Sequence, residues 1–144
     1  MSPAESGRKG DDGMSVFHLS VVTPDRLFFD GDVERVVVRT VSGDVGVLKG
    51  HAKYISGLGT GRLRVKTETG ERVAALSGGF IKVNGDKTQI LATTCEWEDE
   101  IDLERARRAE QHARALLKEA QSKSEQDIAE LKLKRALNRI DIAK

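Results

Sequence analysis

The stretch that most restricts the fold of this chain is its last third, residues 101–144, which contains neither proline nor glycine. Ala, Leu, Glu, Lys, Arg and Gln dominate it, the residues that lose least on entering a helix. A polar run, Gln121-Ser122-Lys123-Ser124, interrupts the pattern. Ser122 with Glu125 has the S-x-x-E spacing of a capping box, which opens a new helix. The segment therefore reads as two helices joined by a short turn and folded back as an antiparallel hairpin.

Its small residues say how firmly the hairpin is held. Ala106, Ala109, Ala113, Leu116 and Ala120 step by three and four along one helical face, and Ala129, Leu133, Ala136 and Ile140 do the same on the other helix. Alanine seams allow close approach but remove little apolar area from water, at roughly 25 cal/mol per Å². Such a hairpin is expected to be marginal by itself and able to separate.

Ahead of it, residues 15–94 have an all-β texture. Val16–Val22, Leu27–Phe29 and Val33–Thr40 read as the first three strands, the second ended by Asp30-Gly31-Asp32. Further β-branched runs follow at 45–48, 54–58, 63–67, 72–76, 80–83 and 88–93, separated by turn signals such as Ser42-Gly43-Asp44, Gly78-Gly79 and Asn84-Gly85. This spacing predicts a compact antiparallel β-sandwich or barrel of about ten strands. The fold class is α+β: an N-terminal antiparallel β-sandwich followed by a two-helix hairpin. Residues 1–13, polar and glycine-rich, read as a disordered leader before a start at Met14. The expected domains are then 14–97 and 98–144.

With 144 residues there is room for one ordinary domain and an appendage. Lys and Arg total 24 against 23 Asp and Glu, so the net charge of +1 gives no global nucleic-acid signal. The charge is uneven: 101–144 holds eleven basic and eight acidic residues, whereas Glu96, Glu98, Asp99 and Glu100 precede it. Cys95, the single cysteine, excludes an intrachain disulfide and suits a reducing compartment. No run approaches the ~18 apolar residues of a membrane span, and no signal peptide is evident.

Chemistry-bearing motifs are missing. There is no phosphate-binding G-x-x-x-x-G-K-[ST] loop. His18, His51 and His112 lack companions at metal-ligand spacing, and no nucleophile motif marks a serine. The expectations are no catalytic residues, no metal and no catalytic cofactor, with His18 packed on the sandwich and His112 on the helix surface.

Several blocks carry a resemblance. Phe29-x-Gly31, Gly43-Asp44-Val45-Gly46-Val47-Leu48-Lys49-Gly50-His51-Ala52, Leu76-Ser77-Gly78-Gly79-Phe80-Ile81-Lys82-Val83 and Ile90-Leu91-Ala92 stand in this order over nearly the whole chain. Together with a β-sandwich followed by a helical hairpin, they resemble the epsilon-subunit family of the bacterial F-type ATP synthase. Lys49 and Lys53 depart from it, standing where the family usually has proline, and lysine lacks proline's fixed φ. The resemblance implies a non-catalytic central-stalk subunit, peripheral at the cytoplasmic face of the plasma membrane. Its sandwich would bind the gamma subunit and the c-subunit ring, coupling the catalytic head to proton flow. By position, the 42–54 loop with Asp44 and His51 resembles the edge that faces these partners. Ordinary turn chemistry is the plainer account of both residues.

The hairpin resembles a nucleotide-sensitive switch. A turn centred near residue 122 sets Arg105 opposite Arg139 with Asp102 beside it, and Arg135 lies one turn from Arg139. Three arginines at one end of a weakly seamed hairpin should repel unless an anion sits among them, and phosphates suit guanidinium forks. Ile101-Asp102-Leu103-Glu104-Arg105-Ala106 and Lys134-Arg135-Ala136-Leu137-Asn138-Arg139 match the segments that ATP-binding members carry. The resemblance thus implies a regulatory ATP held by Glu96, Ile101, Asp102, Arg105, Arg135 and Arg139. His112 replaces another arginine of those members, which lowers the affinity expected. The opened hairpin would meet the alpha and beta subunits, with Lys132, Lys134, Arg135 and Arg139 against an acidic segment of beta. The alternative is that Asp102 is a helix cap paired to Arg139 in a purely structural hairpin. A nucleic-acid binder and an enzyme hidden in the sandwich are weaker rivals.

Overall fold

The computed structural model describes residues 15–143; the expected leader at 1–13 lies outside them. Eight strands come first: β1 (Phe17–Val22), β2 (Leu27–Val33), β3 (Arg35–Thr40), β4 (Gly43–Leu48), β5 (Tyr54–Gly57), β6 (Thr60–Thr67), β7 (Gly70–Asn84) and β8 (Lys87–Trp97). A 3-10 turn at Glu98–Glu100 leads to α1 (Leu103–Glu119) and α2 (Lys123–Ala143).

The sequence suggests about ten strands because β7 and β8 each serve twice. The runs at 72–76 and 80–83 are one fifteen-residue strand, and Gly78-Gly79 is not a turn between strands but a twist inside β7. Before it β7 pairs with β6, and after it with β5, while β8 follows β7 along both halves. One layer is therefore β2-β1-β8-β7-β5 and the other β4-β3-β6-β7-β8. Both glycines have positive φ, 77° and 100°, and a Cβ on Gly79 would lie 1.8 Å from the carbonyl oxygen of Leu91. Only glycine fits there.

The pairing is antiparallel with one exception, the parallel β1–β8 pair, in which Leu19 stands across from Thr88. β2 also continues through Asp30-Gly31-Asp32, where the sequence suggests a stop. Its pairing with β1 sets Asp30 across from Ser20 and Asp32 across from His18, and His18 Nε2 reaches the Asp30 carboxylate. Strand alternation puts His18 at the sheet surface, between buried Phe17 and Leu19. Inward positions alternate as a half-buried sheet requires. Leu19, Val21, Val36, Val38, Leu63, Val65, Leu76, Ile81 and Ile90 fill the space between layers.

The hairpin forms as its composition demands. The Asp102 carboxylate caps α1 by accepting the Arg105 backbone N–H at 3.1 Å. Ser122 Oγ accepts the Glu125 N–H at 3.1 Å, and the Glu125 carboxylate accepts the Gln121 N–H at 2.9 Å. The seam is narrower than a three-and-four reading gives. Ala106 and Ala113 are buried on α1 and Ala129 and Ala136 on α2, two helical turns apart in each case, whereas Ala109 is exposed. Leu116, Ala120, Leu133 and Ile140 are half-buried beside these alanines. α2 packs against β6 and β7.

Candidate functional site: the clasp between the second helix and the sheet

Strand register builds this site. Arg62 of β6, Ala75 of β7 and Glu96 of β8 stand side by side in one row, and Thr60, Ser77 and Thr94 form the next row. The middle residues are small and buried, Ala75 at 6% exposure and Ser77 at 3%, so α2 can lie directly on β7. The flanking charges then grip the helix from either side. Arg139 Nε donates to Glu96 Oε1 at 2.7 Å, and Arg62 donates through NH2 to Asp141 Oδ2 at 2.7 Å. Strand and helix each contribute one cation and one anion, in opposite order.

Polar contacts fill the row between. Arg135 Nε donates to Ser77 Oγ at 2.9 Å, and that hydroxyl shares a 2.7 Å hydrogen bond with Thr60 Oγ1. Asn138 Nδ2 donates to the carbonyl of Gly61 at 3.0 Å. Charged pairs half open to water are individually weak, about 0–1 kcal/mol each. Two such pairs, two further hydrogen bonds and an alanine seam thus attach the hairpin to the sheet.

The residues expected to hold a nucleotide are placed unevenly around this clasp. Glu96, Arg135 and Arg139 are inside it. Asp102 and Ile101 lie at the start of α1, and the Asp102 carboxylate is engaged as the helix cap, while Arg139 pairs with Glu96 rather than with Asp102. The Arg105 side chain is exposed and hydrogen-bonds to none of the described residues. Mutual repulsion of three unneutralised arginines is therefore not the arrangement of the folded hairpin, because Glu96 supplies an anion to Arg139. Lys132 and Lys134 are exposed on α2.

Asp44 and His51 fall on opposite ends of β4 and do not form one loop edge. Asp44 sits across from Arg39 and accepts from its Nε at 2.6 Å, which holds the carboxyl below its usual range. His51 follows the strand, with Nδ1 2.8 Å from the carbonyl of Ala52 and its ring edge-on to Tyr54 at 5.8 Å. Among the described residues no cluster of His, Cys, Asp and Glu could hold a metal ion, and no helix is long and apolar enough to cross a membrane.

Two family models cover the chain. The β-sandwich domain of the ATP synthase delta/epsilon chain matches residues 16–98, and its long α-helix domain matches 99–144. The chain belongs to the ATP synthase delta/epsilon family. An ATP synthase epsilon chain of Ruminococcus albus is 44% identical over 131 residues, which cover 90% of this chain and 98% of that one. The epsilon chain of Halalkalibacterium halodurans is 40% identical over the same shares. Among solved structures, a chain of the Euglena gracilis mitochondrial ATP synthase OSCP/F1/c-ring assembly superposes with a TM-score of 0.75 at 26% identity, covering 96% of this chain and 87% of its own. A Tetrahymena thermophila central-stalk and c-ring structure, 14% identical with a TM-score of 0.65, shares the fold over 88% of this chain and 96% of its own.

Within this delta/epsilon fold, the sequence reading misses the strand half of the clasp. Arg62 carries no motif of its own, Ser77 stands in the Leu76–Val83 block without a sign that it meets a helix, and Asp141 on α2 is equally unmarked. The available signal was the alternation Arg62-x-Arg64-x-Lys66, which marks one face of β6 as strongly basic, but nothing local says that α2 lands there.

Proposed function

We propose that this delta/epsilon-family chain is a non-catalytic rotor subunit of a proton-translocating F-type ATP synthase, and that its hairpin restrains ATP hydrolysis when it leaves the sheet. The clasp carries this reading. A second helix held by Arg139–Glu96, Arg62–Asp141, the Arg135 guanidinium on Ser77 and the Asn138 amide on Gly61 is attached weakly enough to detach and specifically enough to return. Detached, α2 presents Lys132, Arg135 and Arg139 on one face and Lys134 across the helix from them, a cationic segment suited to an acidic segment of the beta subunit beside alpha.

ATP holds the hairpin down in this proposal. Its adenine lies near Glu96, Ile101 and Asp102, and its phosphates reach the guanidiniums of Arg105, Arg135 and Arg139. Arg105, unpaired with the described residues, is free to meet them. A ligand that binds only the docked state stabilises it by RT ln(1 + [L]/Kd), about 2.7 kcal/mol at a hundredfold excess. That is comparable to the whole clasp.

The opposite layer offers the rotor contact. Leu27, Val22, Leu91, Phe80 and Gly57 run side by side across β2, β1, β8, β7 and β5. Leu27, Phe80 and Leu91 are 58%, 45% and 42% exposed, an apolar row suited to the gamma subunit. His51 with its neighbours at the far end of β4 serves the c ring, and the chain stays peripheral at the cytoplasmic membrane face.

Calorimetry of the whole chain with ATP, beside Arg105→Ala, tests the nucleotide site; saturable binding lost in the variant is expected, and no heat from either chain removes ATP from the account. Hydrolysis by the assembled synthase, with and without residues 101–144, tests the restraint. Faster hydrolysis without the hairpin is expected, and an unchanged rate would leave it purely structural.

A further inference from the structure

On the other flank of α2, β3, β4 and β6 enclose with the helix end a cavity of about 270 Å³ that the nucleotide reading does not use. Arg39, Arg62, Arg64, Asp44, Asn138 and Asp141 line it. The register makes this clustering unavoidable. Arg64 stands across from Val37, and Arg39 and Arg62, each two residues on, are carried to the same outer face and open on the same space. Three guanidiniums that open on one space repel one another and attract counter-charge. Asp44 answers Arg39 at 2.6 Å and Asp141 answers Arg62 at 2.7 Å. Arg64 hydrogen-bonds to none of the described residues, and its charge is felt at the Asp44 carboxylate, which it helps to keep ionised. The lining thus carries three cations and two carboxylates, with Arg64, exposed to solvent, the cation left without a hydrogen-bonded carboxylate among the described residues.

A third anion suited to this opening is a small, multiply hydrogen-bonding species, since the lining offers guanidinium forks and the Asn138 amide but little apolar wall. Tetrahedral oxyanions meet that description, and forked donors favour them over chloride. Asp141 comes from the last turns of α2, so anything that occupies Arg62 displaces a helix contact. We propose that this cavity binds phosphate, as the free ion or as a terminal phosphoryl group, through Arg64 and Arg62, and that the bound phosphate competes with Asp141 and loosens the end of the docked helix. Phosphate here opposes docking, the reverse of the effect assigned to ATP at Glu96 and Arg139. The inference depends on the docked helix itself and not on the nucleotide reading.

The test is titration of the full chain with inorganic phosphate at constant ionic strength, followed by calorimetry and by amide hydrogen exchange of α2. Saturable binding is expected, weakened about tenfold in Arg64→Gln, the loss of one charge-assisted pair of about 1.4 kcal/mol. Asp141→Asn removes the competitor and should tighten binding several-fold, while Arg105→Gln, at the nucleotide site, should leave it unchanged. Phosphate should also speed exchange in the last turns of α2 in the unmodified chain. Adenosine monophosphate in the same assay identifies the source: competition with phosphate means that either form enters, and no competition restricts the site to the free ion. Weak binding equal in the native chain and Arg64→Gln, phosphate binding lost with Arg105→Gln instead, or weaker binding in Asp141→Asn would each overturn the proposal. A failure of ATP to bind would not touch it.

Discussion

Arg139 of the second helix and Glu96 of the last strand are joined at 2.7 Å, across forty-three positions of the sequence, with both side chains about one-third exposed. Neighbouring Trp97 points the other way, into a stack with Phe28 at 4.3 Å between centroids and with the Arg72 guanidinium 3.7 Å from its ring. A single step along β8 therefore separates the junction that fixes the strand from the carboxylate that fixes the helix.

Breaking this pair should loosen the helix and spare the sandwich. Glu96→Gln and Arg139→Gln are each expected to weaken docking by about 1 kcal/mol, with the double variant little worse than either. Hydrogen exchange of α2 amides is the measurement. Additive losses would mean that the two residues act on different partners.

The alanine seam predicts a sharper effect. Ala113→Leu puts a bulky side chain where none is accommodated and should cost the hairpin about 1–3 kcal/mol. Helical circular dichroism should then melt before Trp97 fluorescence changes, because the sandwich does not rely on the seam. Ala109→Leu, on the exposed side of the same helix, should leave both transitions in place.

Gly79 tests the strand twist. Gly79→Ala sets a methyl-bearing carbon against the Leu91 carbonyl in a left-handed backbone and should destabilise the sandwich by about 3 kcal/mol or more. Gly85→Ala, also left-handed at φ 64° but facing open space, should cost only about 1 kcal/mol. Urea midpoints of the two variants supply the comparison, and equal losses would show that the crowding is relieved by movement of β8.

Cys95 governs an alkaline limit. Burial pushes its thiol from 9.0 up to about 12, so in this range the folded chain keeps a proton that the unfolded chain has released. The folded state then binds more protons, and stability falls as pH rises. The contribution is complete below pH 9 and is lost by about pH 12, with an upper bound of about 4 kcal/mol. Urea midpoints at pH 8 and pH 11 should drop further in the native chain than in Cys95→Ala. An identical drop would assign the alkaline loss to other groups.

Local chemistry was legible in the sequence. The Ser122–Glu125 box, the Asp102 cap and the alternating core strands are set by neighbours a few positions apart, and the structure has them. What was not legible depends on distance. Gly78-Gly79 looks like a turn because two glycines usually make one; here they let a strand leave one partner and join another. Counting residues along an ideal hairpin sets Arg105 opposite Arg139 but cannot give Arg139 its partner on the sheet, Glu96. In the folded chain Arg139 is turned to a sheet that the count does not include. Asp44 and His51 are close in sequence, but an extended strand carries them apart, at about 3.3 Å per residue.

The uninterrupted length of β7 and β8 has a mechanical consequence. Ser77, under the helix, and Phe80, on the far layer's apolar row, are three residues apart on one backbone, and β8 is bonded alongside through both halves. No loop lies between the two surfaces, only the Gly78-Gly79 twist within β7. Whatever turns one surface of this small body should therefore be felt at the other as rotation.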